Sequence, residues 1–182
     1  MAIRPIVIYG QSDVLRAVCR PLDFLDEQDF IYQTARDLVD SLRHHQGTGL
    51  AAPQIGIPVR MIALTVSEFR TSRLMDEVLV NPEIIFNGGS FAENIEGCLS
   101  FPGLREAIPR FQHIKVAYWN VDGKKRMITP SIIDRGYLAR CLRHEIDHLD
   151  GTLIIDYLSS VRQKVITKQM TRIGKNRCKK AA

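Results

Sequence analysis

Cysteine is sparse and scattered in this chain: Cys19, Cys98, Cys141 and Cys178 form no CxxC pair in 182 residues. That spacing argues against a disulfide framework and for a reducing, cytoplasmic setting. Long apolar runs are missing too. Met61-Ile62-Ala63-Leu64 is typical of the longest, far below the roughly 20 residues that cross a bilayer. Met1-Ala2-Ile3-Arg4-Pro5 has neither the apolar core nor the small-residue cleavage site of a signal peptide. No internal repeat or low-complexity stretch appears. Acidic residues run out toward the C-terminus: no Glu follows Glu145, and no acid of either kind follows Asp156.

What is present fits one compact domain spanning residues 1–182. The 45% hydrophobic content is ordinary for a globular chain, and the length suffices to bury a full core without staples. From Phe24 to His44, apolar residues at Phe30, Ile31, Ala35, Leu38, Val39 and Leu42 trace a helical stripe, with Asp29 near its start. Short β-rich runs follow at Val59–Val66, Val78–Val80, Ile84–Phe86 and Ile114–Tyr118. Asn120-Val121-Asp122-Gly123-Lys124 reads as a hairpin turn. A second helix is expected from Ile133 to Leu149, stopped at Gly151. Strands gathered ahead of a central helix predict an α+β fold.

That second helix carries His144-Glu145-Ile146-Asp147-His148. Histidines four apart share one helical face, so both imidazoles can point at a single metal ion. Glu145 then stands where its carboxylate can take a proton from a metal-bound water. With 5 His in the chain, this HExxH spacing is expected by chance only about 0.006 times at this composition.

A third ligand is not on the helix. The longer H-E-x-x-H-x-x-G-x-x-H pattern needs a histidine where Ile154 stands, although Gly151 is in place. A glutamate from a later helix is excluded by composition. Asp150, two residues past His148, falls roughly 200° around the helix. The ligand must come from upstream, where His44, His45, His113 and the cysteines are candidates. Cys98 stands out for its neighbours, Glu96-Gly97-Cys98-Leu99-Ser100. Gly97 permits a bend or close approach there, and a thiolate with two imidazoles leaves one metal position open for water. A free cysteine is otherwise a small buried hydrophobe.

Three segments, Gly47-Thr48-Gly49-Leu50-Ala51-Ala52-Pro53-Gln54, Glu96-Gly97-Cys98-Leu99-Ser100 and His144-Glu145-Ile146-Asp147-His148, resemble the three motifs of peptide deformylases in order and spacing. The similarity runs on through Asn81-Pro82-Glu83-Ile84 and Leu149-Asp150-Gly151. It implies an α+β architecture with the metal-binding helix packed among antiparallel sheets. It also implies a substrate, the N-terminal formyl-methionine of nascent polypeptides. By resemblance, Cys98, His144 and His148 hold one divalent metal, Fe²⁺ in the cell, which Zn²⁺, Ni²⁺ or Co²⁺ can replace. Metal-bound hydroxide would attack the formyl carbon and release formate, with Glu145 as general base and then general acid. The side-chain amide of Gln54 and the backbone N–H of Leu99 would receive the oxyanion.

Gly49 is carried over as a backbone contact to the peptide, and Arg105 as a cation near it. Tyr137 and Cys141, on the side of the helix that carries His144, are candidates for an apolar slot taking the methionine side chain. Leu138 and Leu142 fall on another, core-facing side. Gly47 and Gly49, flanking Thr48, suggest a loop free to take positive φ. Two positions depart from the resembled pattern. Arg143 stands where Gln is common, a cation that could alter hydrogen bonding behind the ligands or draw in anionic groups. Thr48 stands where bulkier apolar residues are frequent.

The C-terminal stretch 158–182 reads as a basic helix. Leu158, Val161, Val165, Ile166, Met170 and Ile173 fit an amphipathic pattern. Eight Lys and Arg follow residue 159, while residues 1–159 carry 17 basic against 20 acidic residues, a net of −3. Such segregation predicts attraction to a polyanion, and in the resembled family a tail of this kind is associated with docking on the ribosome. Removing residues 162–182 is therefore expected to weaken ribosome binding; a solubilising helix end is the plainer reading. Neither DNA nor a membrane is expected as a partner. Two other functions fit part of the pattern. A different metallopeptidase or amidase could use the same Cys-His-His set. A non-catalytic ribosome-binding metalloprotein would instead close the site with a fourth protein ligand, for which His113 is the histidine available.

Overall fold

The stripe after Phe24 forms helix α1 (Gln28–His44), with Asp29 in its first turn and Arg43 and His44 in its last, each complementing the helix dipole. The computed structural model describes residues 2–67, 74–130 and 137–181, without the side chains of 67, 74 and 174–181. Ile31, Ala35, Leu38 and Leu42 form the inner line of α1 and pack against Leu50, Met61, Ala63 and Val80.

Those last residues belong to one antiparallel sheet in which each strand pairs with the next: β1 (Gly49–Ala51), β2 (Met61–Ser67), β3 (Leu74–Cys98), β4 (Phe101–Trp119) and β5 (Lys125–Ile128). Side chains alternate across a strand, and in β2 both sets are apolar. Met61 and Ala63 face α1, while Ile62 and Leu64 face a second cluster with Ala139, Leu142, Ile146 and Leu149. The latter four lie on helix α2 (Tyr137–Leu149), so the two helices cover opposite faces of the sheet. The expected start of this helix, Ile133 to Gly136, lies outside the described residues. Its end matches expectation: Gly151 takes φ +70°, where a Cβ would also meet the Arg16 carbonyl oxygen at 2.6 Å.

The strands are longer than the sequence suggests. Val78–Val80 and Ile84–Phe86 are parts of one 25-residue strand, and β4 begins at Phe101 rather than near Ile114. Asn81-Pro82 separates the two runs, but the pairing slips between Val80 and Glu83 and then resumes. Asn81 tolerates its left-handed φ of +49° because its side chain accepts from the Leu22 N–H and donates to the Leu22 carbonyl. Further slips lie between Ile84 and Phe86 and between Gly88 and Phe91, the latter carrying the ribbon through a polar stretch that breaks the alternation. The turn at Asn120–Lys124 is as expected, with Gly123 at φ +73°.

A third cluster joins Phe101, Leu104 and Ile108 of β4 to Leu153, Ile154, Ile155, Ile166 and Met170. The last two belong to helix α3 (Ser160–Ala181). Its apolar stripe is narrower than expected. Ile166 and Met170 are fully buried, whereas Val161 and Val165 are 72% and 49% exposed. At about 100° per residue, the two valines lie close together while Ile166 and Met170 point well away from them. Among the described residues no helix is long and apolar enough to cross a membrane.

Candidate metal centre

The β3–β4 ribbon turns through Leu99 and Ser100, so Cys98 pairs with Phe101 at its tip. Between Gly97, which pairs with Arg105, and Cys98 the register slips. Bulges of this kind re-aim a side chain, and Cys98 Sγ meets His148 Nε2 at 3.2 Å. His144 and His148 stand one turn apart on α2 with ring centroids 5.2 Å apart. One donor atom from each of Cys98, His144 and His148 lies within 4.8 Å of the others. Gln54 comes from the short 3-10 turn Ala52–Ile55. Its Oε1 accepts from the Ala51 N–H at 2.8 Å, which orients the amide so that Nε2 donates toward Cys98 Sγ and Ser100 Oγ.

Behind the imidazoles lies a chain of ion pairs. Glu96 holds His144 Nδ1 at 3.0 Å, and Arg110 grips both Glu96 oxygens at 2.8 and 2.9 Å. The same guanidinium donates to Asp147, which also accepts from the Tyr157 hydroxyl at 2.7 Å. Arg143 reaches the other Asp147 oxygen at 3.4 Å. Glu96, Asp147 and Arg110 thus pair in a buried setting where an unpaired charge would be costly, with the half-buried Arg143 completing two carboxylates and two guanidiniums. Arg143 is absent from the cavity wall. Its contact is an ion pair with Asp147 behind the ligands, not a place in the cavity where it would meet an incoming anion. Glu96 and Asp147 lie within the recognised motifs, but Arg110 and Tyr157 carry no sequence signal, because only the folded ribbon brings them to α2.

Glu145 is 4% exposed, and among the described residues its Oε2 has no hydrogen-bond partner, as is also true of His148 Nδ1. Burial pushes the Glu145 carboxyl up to about 7, against the pull of His144. Burial likewise disfavours the charged form of His144, but hydrogen bonds with Cys98 and Glu96 outweigh it and raise that pKa; His148, buried beside it, is held low. Gly49 lies against this carboxylate: a Cβ there would sit 2.4 Å from Glu145 Oε1. Gly47 is similarly tight: a Cβ there would lie 2.9 Å from Leu42 Cδ1. Neither glycine has positive φ, contrary to expectation; Gln46 takes that conformation instead, at +54°. The glycines are required by close approach.

The site opens into a cavity of about 730 Å³ whose wall includes Gly49, Gln54, Cys98, Leu99, Arg105, Tyr137, Cys141, His144 and Glu145. His148 lies deeper, 1% exposed. Thr48 Oγ1 and Cys141 Sγ are 3.4 Å apart on that wall. Leu142 is buried in the core as expected, with Leu138 packed beside it. His113 lies on the exposed outer ribbon against Gly89, and no fourth donor joins Cys98, His144 and His148 among the described residues. That removes the closed-site alternative in the form His113 would have supplied.

A thiol and two imidazoles converging beside a carboxylate with nothing to pair with, at the foot of an open cavity, define a mononuclear metallohydrolase. The unpaired polar atoms and the soft donor set suit a bound divalent ion. Comparison with known proteins makes this specific. The polypeptide deformylase family profile matches residues 3–164. A peptide deformylase of Bartonella henselae is 36% identical over 177 residues, covering 97% of this chain and 96% of that one. The crystal structure of peptide deformylase from Ehrlichia chaffeensis in complex with actinonin superposes with a TM-score of 0.83 at 30% identity, covering 94% of this chain and 98% of that one. A Met-Ala-Ser-bound class I type b peptide deformylase from Acinetobacter baumannii gives 0.75 at 28% identity, covering 86% and 99%. The chain belongs to the polypeptide deformylase family, and it is an enzyme of that family, a metal-dependent hydrolase.

Proposed function

We propose that this enzyme removes the formyl group from the N-terminal formyl-methionine of nascent polypeptides and releases formate. The observation that carries the reading is the unpaired Glu145 carboxylate oxygen beside Cys98, His144 and His148 in one cavity. The Acinetobacter relative with Met-Ala-Ser bound supports a peptide beginning with methionine as the occupant.

Cys98, His144 and His148 would hold the ion, with Glu96 fixing the orientation of His144 through its Nδ1. When bound, the ion supplies Lewis acidity, making water acidic enough to react near neutral pH. Glu145 takes the proton of the attacking water at its free Oε2 and delivers it to the departing amine. Gln54 Nε2 and the Leu99 N–H donate to the oxygen on which negative charge develops. Gly49 and Arg105 hold the peptide, and Tyr137 and Cys141 wall the slot for the methionine side chain. Fe²⁺ is the proposed physiological ion, with Zn²⁺, Ni²⁺ or Co²⁺ as substitutes, a set suited to mixed thiolate and imidazole donors. A thiol that must stay reduced favours action in the cytoplasm, and the basic C-terminal helix supports a contact with the ribosome.

The test is formate release from formyl-Met-Ala-Ser by anaerobically prepared, metal-loaded protein, alongside Glu145→Ala. Removal of a general base is expected to lower the rate about 10²- to 10⁴-fold, with metal content unchanged. A metal-replete wild type that releases no formate would overturn the reading.

A further inference from the structure

We infer that the mouth of this cavity selects peptides with acidic residues directly after the methionine, with Arg105 and Arg140 as the cations that recognise them. The inference rests on the deformylase reading and adds a charge preference to it.

Two arginines, Arg105 and Arg140, line the cavity wall, together with His45 and the ligand His144. The carboxylates on that wall are Glu96 and Glu145, and both are buried at its foot, 6% and 4% exposed. Glu96 is already committed to Arg110 and His144. Among the described residues the mouth therefore presents positive groups with no acid to offset them.

Arg16, Arg20, Arg43, Arg60 and Arg162 each hold a carboxylate, whereas Arg36, Arg126 and Arg172 are exposed without one among the described residues. Arg105 and Arg140 differ from all of these in standing on the cavity wall. Arg105 is exposed and has no carboxylate partner among the described residues. Its neighbour on β4, Glu106, is taken by Arg162 of α3 at 2.5 Å, which keeps that acid from neutralising Arg105. Arg140 lies over the Tyr137 ring, 5.3 Å from its centroid. Stacking of that kind holds a guanidinium in place while leaving its N–H edge free for a carboxylate.

The two cations flank the metal ligands. Arg105 pairs across the ribbon with Gly97, the residue before Cys98, and Arg140 stands one turn before His144 on α2. A cavity of about 730 Å³ lies in the range that encloses a compact ligand, so the residues following the methionine run between them. A carboxylate there is attracted from both walls, and a lysine is repelled from both. Interactions of exposed charges are individually modest, and their sum corresponds to a preference of about tenfold.

The experiment compares formyl-Met-Asp-Asp-NH₂, formyl-Met-Ser-Ser-NH₂ and formyl-Met-Lys-Lys-NH₂ as substrates. The amides remove the terminal carboxylate, which the same arginines would otherwise attract. At low ionic strength kcat/KM should favour the Asp peptide over the Lys peptide by about tenfold, and the ratio should shrink toward one in about 0.5 M salt, where exposed charges are screened. Arg140→Gln and Arg105→Gln should each reduce the ratio. Calorimetric binding of Met-Asp-Asp-NH₂ and Met-Lys-Lys-NH₂ supplies a readout independent of turnover. Equal kcat/KM for the Asp and Lys peptides in wild type, or a preference indifferent to salt, overturns the inference while leaving deformylation intact. Charge-selective binding with no formate from any peptide upholds it and sinks the deformylase reading instead.

Discussion

Gly49 shows how one residue can matter to the chemistry without contributing a functional group. A G-x-G stretch suggests conformational freedom, yet the backbone here uses none of it. A Cβ at position 49 would lie 2.4 Å from Glu145 Oε1 and 2.8 Å from its Cγ and Cδ. Because Glu145 is a long side chain, the added methyl would displace the carboxylate rather than break the fold. Gly49→Ala is therefore expected to lower kcat for formate release at least tenfold, since displacements of about 1 Å can cost far more. The melting temperature should shift by only a few degrees. Wild-type turnover in this variant, measured at equal metal content, would show that Glu145 has room to spare. Arg143 makes a related point: its identity signals a cation near the site, but only its distance from Asp147 shows that it serves the network behind the ligands.

Elements were legible where their signal was local. Helix α1 could be read from spacing because its apolar stripe and its terminal charges all lie within one segment. Its start also contains a pH-sensitive contact. Arg20 forks onto Glu27 at 2.6 and 2.9 Å, and the Asp23 N–H adds a third hydrogen bond, together holding the Glu27 carboxyl down at about 2. A carboxyl depressed in the folded state stabilises it above the unfolded value, about 4.3, and loses that contribution as pH falls toward the folded value. Glu27→Gln should thus be less stable than wild type at pH 6, with the difference closing between about pH 4.5 and pH 2. Urea denaturation at several pH values checks this; a gap independent of pH would refute the assignment. The β3–β4 ribbon was the element least visible in the sequence. Asn81-Pro82 and the Gly88-Gly89-Ser90 stretch look like breaks, and only cross-strand pairing on both sides shows that they are bulges within continuous strands.

At the scale of the whole molecule, α3 serves two ends at once. Ile166 and Met170 close the third core cluster, while Lys164, Lys168 and Arg172 lie on exposed positions of the same helix. Deleting residues 162–182 would consequently remove core as well as charge, at a cost of about 3–6 kcal/mol for two large apolar side chains. Weakened ribosome binding by that deletion would not identify the cause. Replacing Lys164, Lys168 and Arg172 with glutamate leaves the core in place. This triple variant should keep its melting temperature within a few degrees yet sediment poorly with ribosomes at low salt, where phosphate contacts dominate. Cosedimentation equal to wild type would end the proposal of tail docking.

The sequence by itself determined whatever one helix turn, one strand face or one charge census can express. These include the facing of His144 and His148, the core stripe of α1, the segregated basic tail and the α+β class. Resemblance of three motifs pointed to Cys98 as their companion. Tertiary structure alone decided what depends on segments distant along the chain. It placed Arg110 between Glu96 and Asp147, set Gly49 against Glu145, and put Arg105 and Arg140 on the cavity wall with no carboxylate partner among the described residues. The physical reason is that periodicity records which way a side chain points, whereas pairing and burial depend on what another segment brings to meet it.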